Sequence, residues 1–379
     1  MAERETQKCV LIVAGETSAD FHGAHLVRAM RKRDPQIFFC GIGGDRLKGE
    51  GVRLLMEAQE ISVVGITEVI SKLPKVFGGI SAIKKIFYGE RPDLVVLIDF
   101  PDFNLHIAKL AKKQGLSVLY YISPQIWAWR SGRIEKIRRY VDQMAVILPF
   151  EEAYYQKYNV PATFVGHPLL DYYTEQDTAI QTDGCSDRAV GILPGSRRSE
   201  IEKNLPVMLA AATRIQEAFP DVRFLISIAP GIDGQWMSQM IAPYRKSVHV
   251  KEVVGAVRQV FENSTLILAA SGTVTLETAI FGVPMIIIYR ISGISYRLGR
   301  ALVNVNHIGL VNIIADERVV PELIQEAANP AAIAREAVDI LSNPDRLQQI
   351  RQKLKAVRHR LGAPGAAERT ADIAFNMLG

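Results

Sequence analysis

Short, unbroken apolar runs rich in β-branched residues recur along this chain, separated by longer helical patterns. In the first half they are CVLIVAG (9–15), IFFCGIG (37–43), LVVLID (94–99), SVLYYIS (117–123), QMAVILP (143–149) and TFVGHP (163–168). The second half adds RAVGILPG (188–195), RFLISIA (223–229), TLILAASG (265–272) and MIIIYRI (285–291). A strand that is apolar on both faces must be covered on both faces, as in a parallel sheet with helices on each side. Alternation of such strands with helices implies βαβ units. The polar stretch DYYTEQDTAIQTDGCSDR (171–188) interrupts the pattern and reads as a linker. The chain is therefore expected to be α/β, with two Rossmann-like, doubly wound parallel-sheet domains facing each other across a cleft. They cover residues 1–170 and 186–343, and the last helical pattern, about 344–379, can pack on either.

A chain of 379 residues, 48% hydrophobic and 22% charged, has enough apolar material for two such cores. Its net charge of +5 suits an anionic partner without selecting one. Three cysteines, Cys9, Cys40 and Cys185, form no CxxC pair and leave one odd, which points to a reduced, cytoplasmic setting. No leader-type apolar run precedes the first strand, and no segment approaches the roughly 18 apolar residues of a membrane span. Membrane contact is expected to be peripheral.

In doubly wound sheets ligands bind beyond the carboxyl ends of the strands, so the loops after the strands carry the functional signal. After the first strand, AGETSAD (14–20) offers Gly15 for a tight turn, Thr17 or Ser18 as helix cap, and Glu16. Glu16 either projects over the cleft or simply favours the helix N-terminus. GIGGDRL (41–47) allows close backbone approach at Gly41, Gly43 and Gly44, but Arg46 occupies the last glycine position of a GxGxxG fingerprint. That argues against a nicotinamide enzyme.

In IDFPDFN (98–104), Pro101 ends the strand near Asp99 and leaves Asp102 at the start of the next helix. Asp102 is expected to cap that helix. Asp99 follows five apolar residues, so burial raises its pKa; that suits a general base, with a structural ion pair as the alternative. In SPQIWAWRSGRIEKIRRY (123–140), Trp127 and Trp129 read as packing residues. Arg130, Arg133, Lys136, Arg138 and Arg139 cannot share one helix face, and no nucleic-acid-binding signature accompanies them.

LPGSRRSEIEKNLP (193–206) places a Gly195–Ser196 turn, Arg197 and a Ser199/Glu202 capping box at a helix start. Free N–H donors beside an arginine form a diphosphate site; an ordinary capped helix is the alternative. In ASGTVTLETAIFGVP (270–284) a glycine turn leads into a short helix ending at Gly282. Glu277 lies too far from Ser271 and Thr273 to be a capping-box residue, so it can accept hydrogen bonds from a ribose diol or be a surface glutamate.

Taken together, VAGETSAD, GIGGDRL, VVGITEVI, IDFPDFN, SPQIWAWR, LPFE, YNVPATFVGHP, LPGSRRSEI, ASGTVTLE and GLVNIIA, in this order from residue 13 to about 315, resemble the lipid A disaccharide synthase family. These are inverting glycosyltransferases of GT-B architecture. Ala19 stands where that family often has glycine, and Asp45 where it commonly has proline. The resemblance implies transfer of a sugar from UDP-2,3-diacylglucosamine to 2,3-diacylglucosamine 1-phosphate (lipid X), giving a β-1,6-linked disaccharide 1-phosphate and UDP. By position it implies that Asp99 is the base and that Glu16 and Ser18 face the reacting sugars. Ser196, Arg197, Ser271, Gly272 and Thr273 would hold the diphosphate, Glu277 the ribose, and Asn312 would add a nucleotide contact. His22 and His25 are rival bases, although their helical positions favour packing.

No metal or other cofactor is expected, since no His/Asp cluster has ligand spacing and helix N–H groups with an arginine can stabilise the leaving diphosphate. The segment 63–87 supplies Val69, Ile70, Leu73, Val76 and Phe77 beside Lys72, Lys75, Lys84 and Lys85. That composition suits either a patch lying on an anionic membrane, which the resemblance implies is the cytoplasmic face of the inner membrane, or a helix packed on its own sheet. The family also implies a homodimer, with exchange of C-terminal elements. The rival readings are another GT-B UDP-N-acetylglucosamine transferase or epimerase, and a non-catalytic lipid- or nucleotide-binding protein.

Overall fold

The computed structural model describes residues 7–61, 66–128, 131–175, 189–290 and 307–379. The chain divides into two compact units. The first comprises residues 1–176 with 361–379, the second residues 177–360.

The first unit carries seven strands: β1 (Cys9–Ala14), β2 (Phe38–Gly43), β3 (Arg53–Glu57), β4 (Leu94–Ile98), β5 (Ser117–Tyr121), β6 (Gln143–Val146) and β7 (Ala162–Phe164). They form one parallel sheet in the order β3-β2-β1-β4-β5-β6-β7. Strand residues alternate between two cores, as period-2 geometry requires. Leu11, Val13, Val95 and Leu97 enter one core; Val10, Ile12, Val96 and Ile98 enter the other. All eight are 1% exposed or less, each burial being worth roughly 1.5–3 kcal/mol.

The second unit carries β8 (Ala189–Leu193), β9 (Arg223–Ile228), β10 (Val250–Val254), β11 (Leu266–Ala270), β12 (Met285–Tyr289) and β13 (Glu322–Ile324). Its parallel order is β10-β9-β8-β11-β12-β13. The expected α/β class with two Rossmann-like sheets is what forms.

The C-terminal helical pattern divides between the units. Helix Pro344–Arg360 belongs to the second, whereas helix Ala366–Leu378 packs Ala367, Ala371, Ala374 and Leu378 into a core of the first. Asp171 anchors that return: its carboxylate accepts from the N–H groups of Gly365 (2.5 Å), Ala366 (3.3 Å) and Ala367 (3.3 Å). The linker expected over 171–188 therefore begins later, since helix Leu169–Glu175 still belongs to the first unit. Replacing Asp171 by alanine removes this N-terminal cap, worth about 1 kcal/mol. A lowered thermal unfolding midpoint, with the C-terminal helix becoming the earliest proteolysis site, is the expected result.

Among the described residues no helix is long and apolar enough to cross a membrane. In helix Ile66–Gly89, Val76 and Ile80 pack against the core while Phe77 stands 65% exposed. Val76 is thereby removed from the expected membrane patch. The side chains of Val69, Ile70, Lys72 and Leu73 lie outside the described residues.

Candidate active site

Both sheets reverse strand order at one point, between β1 and β4 in the first unit and between β8 and β11 in the second. At such a point two adjacent strands send their connections to opposite faces of the sheet, which opens a crevice at their carboxyl ends. The crevice loops are 15–18 and 99–102 in the first unit, and 194–197 and 271–273 in the second. These loops hold all the expected site residues except Glu277 and Asn312.

In the first unit Asp99 leaves β4 with φ 46°, and Phe100 follows with φ 47°. Two consecutive left-handed non-glycine residues cost of order 1–3 kcal/mol each and need outside support. The Asp99 N–H donates to the Tyr121 carbonyl (3.2 Å). The Asp99 carbonyl accepts from Tyr120 Oη (2.6 Å) and from Asn104 Nδ2 (2.7 Å). Asn104 is fully buried and also donates to the Ile98 carbonyl.

The Phe100 ring lies against Gly15, where a Cβ would sit 2.3 Å from a ring carbon. Gly15 is thus needed for this contact, and with Glu16 it makes the tight two-residue turn from β1 into the helix without a positive φ. The result is a carboxyl group on a rigid corner. Burial first, then the negative charge of Glu16, push Asp99 up to about 6, and the Phe100 N–H pulls the other way. Among the described residues its charged neighbour is a like charge, Glu16, and not the cation that a structural ion pair needs.

Glu16 is the N-cap residue of helix Thr17–Arg33, and Glu16, Thr17 and Ser18 are exposed. Neither Thr17 nor Ser18 caps that helix, which has no side-chain cap. The buried Asp20, one turn in, reaches instead to the N–H groups of Gly44 (2.6 Å), Leu47 (3.2 Å) and Arg46 (3.1 Å). The glycines of GIGGDRL serve that packing: a Cβ on Gly44 would lie 2.8 Å from Asp20, and one on Gly41 would lie 1.7 Å from the Ile12 carbonyl.

Asp102 is not the cap expected of it. With Pro101 as the first helical residue, the N-cap falls on Phe100, and the Asp102 carboxylate pairs with Arg133. His22 and His25 sit within helix Thr17–Arg33, and burial holds His22 down at about 4. His25 Nδ1 lies 2.9 Å from the Phe21 carbonyl.

Glu151, the last residue of the LPFE stretch and given no role in the sequence reading, lies buried behind the loop after β5. Its Oε1 accepts from Trp127 Nε1 (3.0 Å), and its Oε2 from the N–H groups of Leu148 (3.0 Å) and Ile147 (3.3 Å). Burial pushes it up to about 7 against the pull of these donors. Trp127 is a packing residue, edge-on to Phe150; Trp129 and Arg130 lie outside the described residues.

In the second unit Gly195 takes φ 123°, and helix Arg198–Ala218 starts after Arg197, running through Pro206. The Ser199/Glu202 capping box does not form; Glu202 pairs with Arg198 (3.1 Å). Glu200 turns back instead. Its carboxylate accepts from the Ser196 N–H (3.2 Å) and from Arg197 (3.0 Å). Tyr289, at the end of β12, is raised by burial and by this carboxylate, which brings a further residue to the same rim.

After β11, the Ser271 N–H donates to the Ile288 carbonyl, and Gly272 and Thr273 are exposed before helix Val274–Ile280. Glu277 is half-buried on that helix. Asn312 is assigned differently from the expectation. It is fully buried, donates to the Val320 carbonyl (2.9 Å) and Glu322 Oε1 (2.8 Å), and accepts from the Val319 and Val320 N–H groups. Its amide is used up in holding a loop and is not available to a nucleotide.

The model of the family described as lipid-A-disaccharide synthetase matches residues 10–375. The lipid-A-disaccharide synthase of Syntrophus aciditrophicus is 49% identical over 376 residues, covering 98% of each chain. That of Geobacter sulfurreducens is 43% identical, covering 99% of this chain and 98% of the relative. Among solved structures, the UDP-GlcNAc 2-epimerase from Neisseria meningitidis bound to UDP-GlcNAc is similar with TM-score 0.64 at 11% identity. It covers 98% of this chain and 99% of its own. A UGT transferase from Siraitia grosvenorii in complex with UDP gives TM-score 0.63 at 10% identity over the same shares. At such identities the structures speak for the GT-B fold alone, and the near-complete sequence matches speak for more. The chain belongs to the lipid-A-disaccharide synthetase family and is a glycosyltransferase of lipid A disaccharide synthesis.

Proposed function

We propose that this glycosyltransferase moves the sugar of UDP-2,3-diacylglucosamine onto the 6-hydroxyl of lipid X, with Asp99 as the base. The observation carrying this is the Asp99 corner: a pinned left-handed turn at the switch point, with the carboxyl raised to about 6 by burial and by the charge of Glu16. A base with that pKa is ionised at neutral pH yet still basic enough to take a hydroxyl proton as the hydroxyl attacks the anomeric carbon. Glu16 raises that basicity, and with Ser18 it faces the reacting sugars. Lipid X-dependent release of UDP from the diacylated donor is the expected result. Turnover without acceptor would indicate an epimerase instead, and no release at all a binding protein.

The diphosphate is proposed to sit on Ser196, Arg197, Ser271, Gly272 and Thr273, with Glu277 on the ribose. In support, the N–H of Ser196 and the Arg197 guanidinium already hold an anion, the Glu200 carboxylate. A diphosphate must displace it. Arg197→Ala is therefore expected to weaken UDP binding roughly tenfold to 100-fold, the worth of a charge-assisted contact. Glu200→Ala is expected to tighten it. Opposite signs by calorimetry separate a diphosphate site from a helix end that merely needs its cap, where both changes would leave UDP affinity alone.

Exposed Phe77, with Lys84 and Lys85 on the same helix, supports peripheral contact with an anionic membrane on the cytoplasmic face. A homodimer completes the proposal.

A further inference from the structure

At the opposite, amino-terminal end of the first sheet, strand pairing assembles a group that no sequence motif announces. Cys9 opens β1, and Cys40 lies in mid-β2. In the register Cys9 stands opposite Phe38 and Leu11 opposite Cys40, so the two thiols share one face, two residues out of step. Glu90, just past helix Ile66–Gly89, closes the group. One ligand atom from each of the three lies within 4.8 Å of the others, the sole such trio of Cys, His, Asp and Glu among the described residues. Both cysteines are free and buried. Glu90 Oε1 accepts from Arg53, while Oε2 is buried with no hydrogen-bond partner.

The two-residue offset rules against a disulfide. Strand spacing and rise place the two Cα atoms about 8 Å apart, beyond the roughly 7 Å that a disulfide can span. A cation between the sulfurs needs no such approach. We propose that Cys9, Cys40 and Glu90 form a binding site for one thiophilic divalent cation of the zinc class, with solvent as fourth ligand. Sulfur, sulfur and carboxylate oxygen are donors that such an ion takes in tetrahedral geometry. The charges balance. Binding one M²⁺ converts two thiols to thiolates and releases two protons, and the −3 of the ligands is offset by the ion and Arg53. The orphaned Glu90 Oε2 gains the partner that it lacks. The site lies one strand length, roughly 17 Å, from the carboxyl end of β1, so its role is to clip β1, β2 and the end of helix Ile66–Gly89 together and not to take part in transfer.

The test uses the full chain carrying Cys185→Ser, stripped with chelator and titrated with Co²⁺ and then Zn²⁺. The expected result is one equivalent bound, a near-ultraviolet thiolate-to-cobalt band, two protons released per ion, and protection of Cys9 and Cys40 from alkylation. Cys9→Ser and Cys40→Ser should abolish the band, and Glu90→Gln should weaken binding roughly tenfold to 100-fold. Absence of the band, or an equal band in the folded cysteine variants, overturns the site. Should those variants fail to fold, alkylation of the parent decides: equal rates with and without Zn²⁺ overturn it.

Discussion

Asp99→Asn is expected to lower kcat roughly 100- to 10,000-fold, the usual worth of a positioned general base, while UDP affinity stays unchanged. The parent's kcat should fall as pH drops through about 6, because the base works only as the carboxylate and burial beside Glu16 has raised it to that value. Asparagine removes that limb. Stability should move the other way. A carboxyl raised in the folded state contributes most when protonated, and that contribution is lost as pH rises from the unfolded value near 4 through about 6. A neutral amide escapes this loss, so at pH 8 the variant should unfold at a higher temperature than the parent. Lost turnover with gained stability is the signature of a group held at a cost for chemistry. A variant that loses both would make Asp99 a structural residue, and unchanged turnover would remove it from the mechanism.

The strands that were legible in the sequence are those whose surroundings are uniform. β1, β4, β8 and β11 are buried along their whole length, so their residues are apolar without alternation. The strands that went unread, β3 (RLLME), β10 (VKEVV) and β13 (ELI), are all at sheet edges. An edge strand carries charges that keep other chains from pairing with it, and those charges erase the pattern. Fold class was therefore readable from the middle of each sheet outward.

The candidate site was legible where a loop sits at a switch point, because strand order alone decides which loops meet there. What stayed hidden were polar side chains whose partners are distant in sequence. Asp20 reaches the N–H groups of Gly44 and Leu47, Asn104 pins the carbonyl of Asp99, and Asp102 meets Arg133. Local rules gave Asp102 a cap to make, and proline at the first helical position had already moved the cap to Phe100. The family pattern assigned Asn312 to the nucleotide, whereas its four hydrogen bonds were claimed within its own unit. For Asp20, Asn104 and Asn312 a short polar residue amid apolar neighbours was the available signal, and it announced a buried clamp; Asp102 instead holds Arg133 at the surface.

Glu151 is the clamp with the largest consequence. Glu151→Ala strands the Trp127 indole N–H and the N–H groups of Leu148 and Ile147, each costing about 1–3 kcal/mol when left buried and unpaired. Loss of several kcal/mol, seen as a large drop in the urea midpoint, is expected, together with impaired turnover as the loop after β5 loosens. Glu151→Gln keeps the shape and an acceptor oxygen, so it separates charge from packing. Burial raises Glu151 from 4.5 to about 7. The folded chain therefore holds a proton between those values that the unfolded chain has given up, and stability declines across that window as pH rises. The glutamine variant lacks this decline. Relative to the parent it should gain about 2 kcal/mol between pH 5 and pH 8, read as a widening gap between their urea midpoints. A gap independent of pH would mean that Glu151 stays ionised throughout, with its three N–H donors outweighing its burial.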